Sequence, residues 1–159
     1  MELKSKIIIF TIIVLTGILV TSCGKNKNDV VPDVYVDFYI DLSDPEFFEL
    51  NAIGVADSID ARTNNLGYRA AGYNGNGIII YRAMLDQFVA YDRTCPHDYA
   101  VNGKSVKVKI DGIFAVCPDC GTTYALPSGG TPYSGIGRYP LKNYRTSFDG
   151  QFVHVWNYN

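Results

Sequence analysis

The sequence has few of the side chains that usually carry chemistry, with four cysteines and two histidines among its 159 residues. Its formal net charge is only −2, which argues against a nucleic-acid partner. Its acidic residues show no close pairing that would indicate acid–base catalysis. The apolar run at residues 7–20 is too short to span a bilayer comfortably. The cysteines and histidines are therefore the first place to look for function.

The N-terminal residues have the pattern of an export signal. Lys4 and Lys6 precede the apolar run, whose length suits the h-region of a signal peptide. The run ends in Val-Thr-Ser-Cys-Gly, which resembles a bacterial lipobox with Cys23 as the lipidated residue. We therefore expect a lipoprotein signal peptide at residues 1–22 and a lipidated flexible tether at residues 23–33. The protein would then be lipid-anchored in the cell envelope, on the periplasmic face or at the outer membrane. An uncleaved anchor with a chance cysteine is the alternative.

Residues 34–159 are predicted to form one all-β domain. Strand-like runs, some of them with clear apolar–polar alternation, occur at residues 34–41, 77–82, 88–92, 105–110, 113–117, 144–148 and 152–156. Asp-Gly pairs at 111–112 and 149–150 separate neighbouring runs and are typical of tight hairpin turns. One helical turn is expected to begin at Ser43, because Ser43 and Glu46 have the spacing of a capping box.

Three cysteines remain once Cys23 is assigned to the anchor, and an odd number argues against a disulfide framework. All three lie in two short loops, residues 95–97 and 117–121. These loops supply a four-ligand set for zinc or an iron–sulfur cluster, made of Cys95, His97, Cys117 and Cys120. A strand-like run leads into each loop, so we expect the four ligands to meet at the tips of β-hairpins. Gly121 allows backbone N–H groups to approach sulfur.

The two loops resemble the ligand boxes of the Rieske [2Fe–2S] family, which read Cys-x-His and Cys-x-x-His. Nineteen residues separate the two boxes here, and Gly-Thr-Thr-Tyr at 121–124 resembles the family's Gly-Ser-x-Tyr segment. The resemblance covers roughly residues 77–156 and implies a Rieske-like antiparallel β-sandwich with a small two-loop cluster-binding subdomain. It also implies that Thr122 donates to a bridging sulfide and that Tyr124 donates to a cysteine sulfur.

The resemblance implies that the protein transfers single electrons to an unidentified redox partner protein. Catalysis is not expected, because the chain has no room for the second iron domain that an oxygenase needs.

One departure from the family changes the expected chemistry, since Cys120 stands where the family has its second histidine. Carried over by position, Cys95 and Cys117 would hold one iron, and His97 and Cys120 the other. A third thiolate adds negative charge to the cluster. The potential should therefore fall below the Rieske range of roughly −150 to +300 mV, towards the roughly −400 mV of plant-type ferredoxins. The extra cysteine pair that braces high-potential members is absent.

Two other functions remain open. The same Cys3His set suits zinc, and a structural or binding lipoprotein of this fold would hold zinc or nothing there. The lack of a twin-arginine pair before residue 7 favours that alternative, because exported proteins acquire iron–sulfur clusters before export in the folded state. A thiol–disulfide enzyme using Cys117 and Cys120 is disfavoured, because the motif lies between strands rather than at a helix N-terminus. His154 alternates with apolar residues and is expected to be an ordinary strand histidine.

Overall fold

The computed structural model describes residues 29–158, and strands connected by turns dominate this part of the chain. Its elements, in chain order, are β1 (Asp37–Asp41), β2 (Ala56–Ile59), β3 (Ile78–Met84), β4 (Gln87–Asp92), α1 (Pro96–Asn102), β5 (Lys109–Asp111), β6 (Phe114–Val116), β7 (Thr123–Ala125), β8 (Thr131–Ser134), β9 (Asn143–Phe148) and β10 (Phe152–Trp156). Short 3₁₀ helices lie at Pro45–Asn51, Thr63–Asn65, Gly67–Ala70, Tyr73–Gly75 and Leu126–Ser128.

Six strands form a curled antiparallel sheet in the order β1-β10-β9-β4-β3-β2. The predicted Asp-Gly turn at 149–150 joins β9 to β10, which pair directly. The expected alternation is visible in β1, where Phe38 and Ile40 are buried and Tyr39 between them is 59% exposed. Because successive side chains of a strand point to opposite faces, this pattern places one face of the sheet on a core.

A second antiparallel sheet, with strand order β5-β6-β7-β8, is inserted in the chain between β4 and β9. The predicted Asp-Gly turn at 111–112 joins β5 to β6. The inserted segment also contains α1, and its two loops carry the three cysteines found among residues 29–158. The predicted fold class, all-β with antiparallel sheets and a small two-loop subdomain, is therefore confirmed.

Two hydrophobic cores lie on opposite faces of β3. Ile78 and Ile80 belong to the first core, which fills the curl of the larger sheet, whereas Ile79 and Tyr81 belong to the second. The second core joins the larger sheet to the inserted one, and two of the three cysteines are part of it. Both loops are thus fixed to a packed core rather than projecting from the surface on mobile chain.

Several elements differ from the predictions in their bounds. The strand-like runs predicted from the sequence include none of β2, β7 and β8, and the expected strand at 105–110 pairs with β6 only over Lys109–Asp111. The first 3₁₀ helix has Asp44 rather than Ser43 as its N-cap, because the carboxylate of Asp44 accepts a 3.0 Å hydrogen bond from the amide of Glu46. The Ser43 hydroxyl donates instead to the preceding Asp41, at 2.7 Å.

Residues that precede position 34 already pack against the folded domain. Val31 is fully buried, and its carbonyl accepts a 2.8 Å hydrogen bond from Nζ of the buried Lys142. Asp33 lies 2.9 Å from the same ammonium group. Residues 31–33, predicted as the end of the tether, therefore contact the folded unit. The predicted signal peptide at 1–22 and the lipidation site Cys23 lie outside the described residues. Between residues 29 and 158, no helix has both the length and the apolar character needed to cross a membrane.

Candidate metal centre

The first ligand loop is the start of a helix rather than the tip of a hairpin. Cys95 is the N-cap of α1, and Pro96 occupies the first turn, where a missing N–H costs nothing. The helix ends at Asn102 and is capped by Gly103, whose φ of 64° lies in the left-handed region that helix C-caps favour. The amide of Cys95 donates to the carbonyl of Val106 at 2.8 Å, which fixes the loop to the segment between α1 and β5.

The second loop is the tight turn that connects β6 with β7. The amide of Gly121 donates to the carbonyl of Cys117 at 3.1 Å, and the amide of Cys117 donates to the carbonyl of Thr122 at 2.9 Å. Gly121 has a φ of 69°, which glycine adopts without the steric cost of a side chain. The turn brings Sγ of Cys120 to 3.7 Å from Sγ of Cys95 on the first loop.

Four side chains from the two loops converge on one point: Cys95, Asp98, Cys117 and Cys120. One ligand atom from each lies within 4.8 Å of every other. Sγ of Cys117 donates to Oδ2 of Asp98 at 2.8 Å. The Asp98 side chain is only 3% exposed, Cys95 and Cys117 are buried, and Cys120 is half-buried. The result is a buried group of three thiols and one carboxylate.

The structure thus brings together the three predicted cysteines but not the predicted histidine. His97 is half-buried and is not a member of the group. Consecutive residues of a helix point about 100° apart, so a first turn that aims Asp98 at the thiols aims His97 elsewhere. Asp98 could have been found from the sequence only by recognising α1. The signals for that helix are the proline after Cys95 and the glycine at position 103.

The supporting residues named from the sequence surround this group. Oη of the fully buried Tyr124 lies 3.2 Å from Sγ of Cys95. Oγ1 of Thr122 accepts hydrogen bonds from Sγ of Cys120 at 3.2 Å and from the amide of Gly137 at 2.9 Å. These contacts hold two of the three sulfurs in place. The donation of Thr122 to a bridging sulfide remains a prediction.

A glycine-containing loop covers Thr122. A Cβ atom added at Gly137 would lie 2.6 Å from Cγ2 of Thr122, and one added at Gly135 would lie 2.7 Å from its Cα. Both distances are shorter than real Cβ contacts. The close approach of this loop to the metal centre therefore requires glycine at both positions, while Ile136 between them is exposed.

Burial raises the pKa of two of the thiols, Cys95 and Cys117. It raises the pKa of the Cys95 thiol to about 11, against a smaller opposing effect of the Tyr124 hydroxyl. Burial, and then the Asp98 carboxylate, raise the pKa of the Cys117 thiol. Burial alone would raise the pKa of Asp98, but hydrogen bonds from the surrounding thiols outweigh it and lower that pKa. Redox-active thiols need a lowered pKa, so the raised pKa of Cys117 does not suit a thiol–disulfide enzyme.

The donor set suits a metal that prefers thiolate ligands. Metal–sulfur bonds of about 2.3 Å in a tetrahedral site separate the two sulfur atoms by about 3.8 Å. The distance between Sγ of Cys95 and Sγ of Cys120 is 3.7 Å, close to that value. A [2Fe–2S] cluster also takes two ligands on each iron, but its sulfide-bridged core keeps the two ligand pairs apart. The donor chemistry fits both groups, and a cluster requires the two pairs to move apart from the observed arrangement.

Other features of the described residues lie away from this centre. The ring of His154 on β10 stacks between Tyr39 and Trp156, and its Nε2 lies 2.8 Å from Oδ1 of Asp37. It is a strand histidine with structural partners, as predicted. A cleft of about 670 Å³ runs along β4 and β9, and its lining includes none of the three cysteines.

No family model matches the sequence, and no curated protein matches it. Among solved structures, the ferredoxin of carbazole 1,9a-dioxygenase from Nocardioides aromaticivorans IC177 is similar over 79% of this chain and 100% of its own, with 14% identity and a TM-score of 0.45. A chain from the complex of reduced oxygenase and oxidized ferredoxin in carbazole 1,9a-dioxygenase is similar over 65% of this chain and 90% of its own, with 19% identity and a TM-score of 0.42. The Sphingomonas yanoikuyae B1 ferredoxin is similar over 52% of this chain and 76% of its own, with 15% identity and a TM-score of 0.38. Because these TM-scores lie below 0.5, the function proposed below rests on the chain's own residues.

Proposed function

We propose that this protein is a one-electron carrier whose Rieske-like [2Fe–2S] cluster is bound by Cys95, Cys117 and Cys120. The observation that carries the proposal is the meeting of these three thiols within 4.8 Å, from the two loops whose sequences resemble the Rieske ligand boxes. Such a cluster supplies reversible one-electron transfer when bound. The sequence predicts His97 as the fourth ligand.

The protein's own residues have two tasks in such a carrier. The second hydrophobic core surrounds Cys95 and Cys117 and keeps water from their sulfurs. The phenol of Tyr124 is placed to donate to Cys95, and a hydrogen bond to sulfur favours the more negative, reduced state. Cys120 is the half-buried member of the three, so an electron has its shortest route to a partner protein there. Lipid attachment at Cys23 would hold this carrier at the cell envelope.

An anaerobic redox titration of the full-length chain, followed by electron paramagnetic resonance, tests the proposal. We expect an iron-linked signal that appears on one-electron reduction, with a midpoint below roughly −150 mV. A Cys120→Ser variant is the matched control and should lose or shift that signal. Absence of any iron-linked signal would contradict the carrier function. A midpoint at or above about +100 mV would instead contradict the charge reasoning behind the low potential.

One observation favours a second candidate, a structural or binding protein with a single zinc ion at the same site. The 3.7 Å separation of Sγ in Cys95 and Cys120 is already that of two ligands on one tetrahedral ion. The same protein preparation separates the two functions. The zinc-bound protein would contain about one zinc per chain and give no signal on reduction.

A further inference from the structure

We propose that Asp98, and not His97, is the fourth ligand of the metal centre. This inference rests on the proposed presence of a metal at the three cysteines, whether as a cluster or as a single ion. It replaces the Cys3His set read from the sequence by a Cys3Asp set.

The first argument is the burial of a carboxylate among thiols. Asp98 is 3% exposed, and its Oδ2 faces Sγ of Cys117 at 2.8 Å. A carboxylate so far from water is costly unless it is paired, hydrogen-bonded or bound to a metal. In the structure, hydrogen bonds from the protonated thiols provide that compensation. A metal that displaced the thiol protons would remove those hydrogen bonds, and a bond from the metal to the carboxylate would take their place.

The second argument is that a metal can take the place of the thiol proton with little movement. Metal–sulfur and metal–oxygen bonds of about 2.3 and 2.0–2.2 Å in a tetrahedral site separate sulfur from oxygen by about 3.5 Å. The observed separation between Cys117 and Asp98 is 2.8 Å, so the two side chains need to part by less than an ångström. On binding, each neutral thiol releases its proton to solvent and the metal forms a bond to the resulting thiolate.

The third argument is the phase of α1. Cys95 is the N-cap, and Asp98 is the third helical residue, a position from which side chains reach back to the N-cap. Because His97 is the neighbour of Asp98 on the same first turn, its ring points about 100° away around the helix axis. Asp98 is thus already a member of the ligand group, whereas His97 is not.

A cobalt titration of the full chain under reducing, anaerobic conditions tests the assignment. Wild type is compared with Asp98→Asn, which keeps the shape of the side chain, and with His97→Gln as the matched control on the same helical turn. The measurements are Co²⁺ affinity from chelator competition, the thiolate-to-cobalt absorption band, and the melting temperature without metal. We expect Asp98→Asn to weaken Co²⁺ binding more than about 100-fold, beyond the 10–100-fold typical of outer-shell partners. His97→Gln should change it by less than about threefold.

A rescue variant separates ligation from a role in helix folding. Asp98→Cys supplies another anionic ligand but is a poorer residue in the first turn of a helix. It should recover most of the Co²⁺ affinity that Asp98→Asn loses, with a tetrahedral spectrum. Equal loss of affinity in Asp98→Asn and Asp98→Cys would overturn the assignment.

The remaining outcomes are also decisive. If His97→Gln abolishes Co²⁺ binding while Asp98→Asn retains it, the inference is wrong and His97 is the fourth ligand. If both variants bind like wild type, or both lose binding, Asp98 is not the distinguishing ligand and the inference is again overturned. If wild type binds neither Co²⁺ nor iron, the proposed function fails as well.

Discussion

Replacing Tyr124 with phenylalanine should lower the reduction potential of the bound cluster by about 40 mV. The structure places Oη of Tyr124 3.2 Å from Sγ of Cys95, and the ring is fully buried, so no water is ready to replace the lost donor. Burial also raises the pKa of Tyr124, which keeps its proton available for donation. The variant therefore removes one hydrogen bond to a ligand sulfur and little else.

The size of the shift follows from the charge that reduction adds. A hydrogen bond to a neutral acceptor contributes about 0.5–1.5 kcal/mol, and one to a charged acceptor about 1.5–3 kcal/mol. The bond from Tyr124 should thus favour the reduced centre by about 1 kcal/mol more than the oxidised one. Since about 1.4 kcal/mol corresponds to about 59 mV for a single electron, loss of the bond lowers the potential by about 40 mV.

The assay is a potentiometric titration of wild type, Tyr124→Phe and a control, Tyr133→Phe, each with its iron content measured. Tyr133 is 71% exposed, and its ring makes a tilted contact with that of Phe114. We expect the control to match wild type within a few millivolts. An unchanged or raised potential in Tyr124→Phe, with iron content intact, would refute the role given to this hydroxyl.

Two further predictions concern stability. Gly137→Ala places a methyl group 2.6 Å from Cγ2 of Thr122 and should cost about 1–3 kcal/mol of unfolding free energy in urea. The exposed neighbour variant Ile136→Ala should change it by less than about 0.5 kcal/mol, and equal effects would contradict the packing described. The hydrogen bond from His154 lowers the pKa of Asp37, so this pairing stabilises the fold above the unfolded pKa of about 3.9 and is lost as pH falls through the lowered folded value. Asp37→Asn should therefore lose stability at pH 7 and less at pH 3, and an unchanged pH dependence of unfolding would contradict this.

The sequence predicts the strands best where apolar and polar residues alternate or where a turn has a strong chemical preference. The hairpin of β9 and β10 and that of β5 and β6 both form at predicted Asp-Gly turns. β2 and β8 are four residues long, too short for a period of two to stand out from neighbouring turns. They form strands because they pair with β3 and β7, and this pairing cannot be predicted from the local sequence.

The sequence likewise predicts part of the ligand group but not all of it. Spacing identifies the three cysteines, because two short loops that each carry thiols can converge whatever their exact backbone. Whether His97 or Asp98 faces the thiols depends on whether the residues after Cys95 form a helix, and on which side of that helix each residue lies. That helix has only seven residues, and its proline and glycine signals lie inside a motif that reads equally well as a loop. Side-chain direction was therefore beyond what spacing could predict.

The most direct test of the central claim is the count of iron, acid-labile sulfide and zinc per chain in protein purified anaerobically, together with its visible absorption spectrum. A [2Fe–2S] carrier should contain about two iron and about two sulfide per chain, and its visible bands should weaken on reduction. About one zinc per chain without sulfide, or metal-free thiols in protein that resists reconstitution with iron and sulfide, would contradict the carrier function.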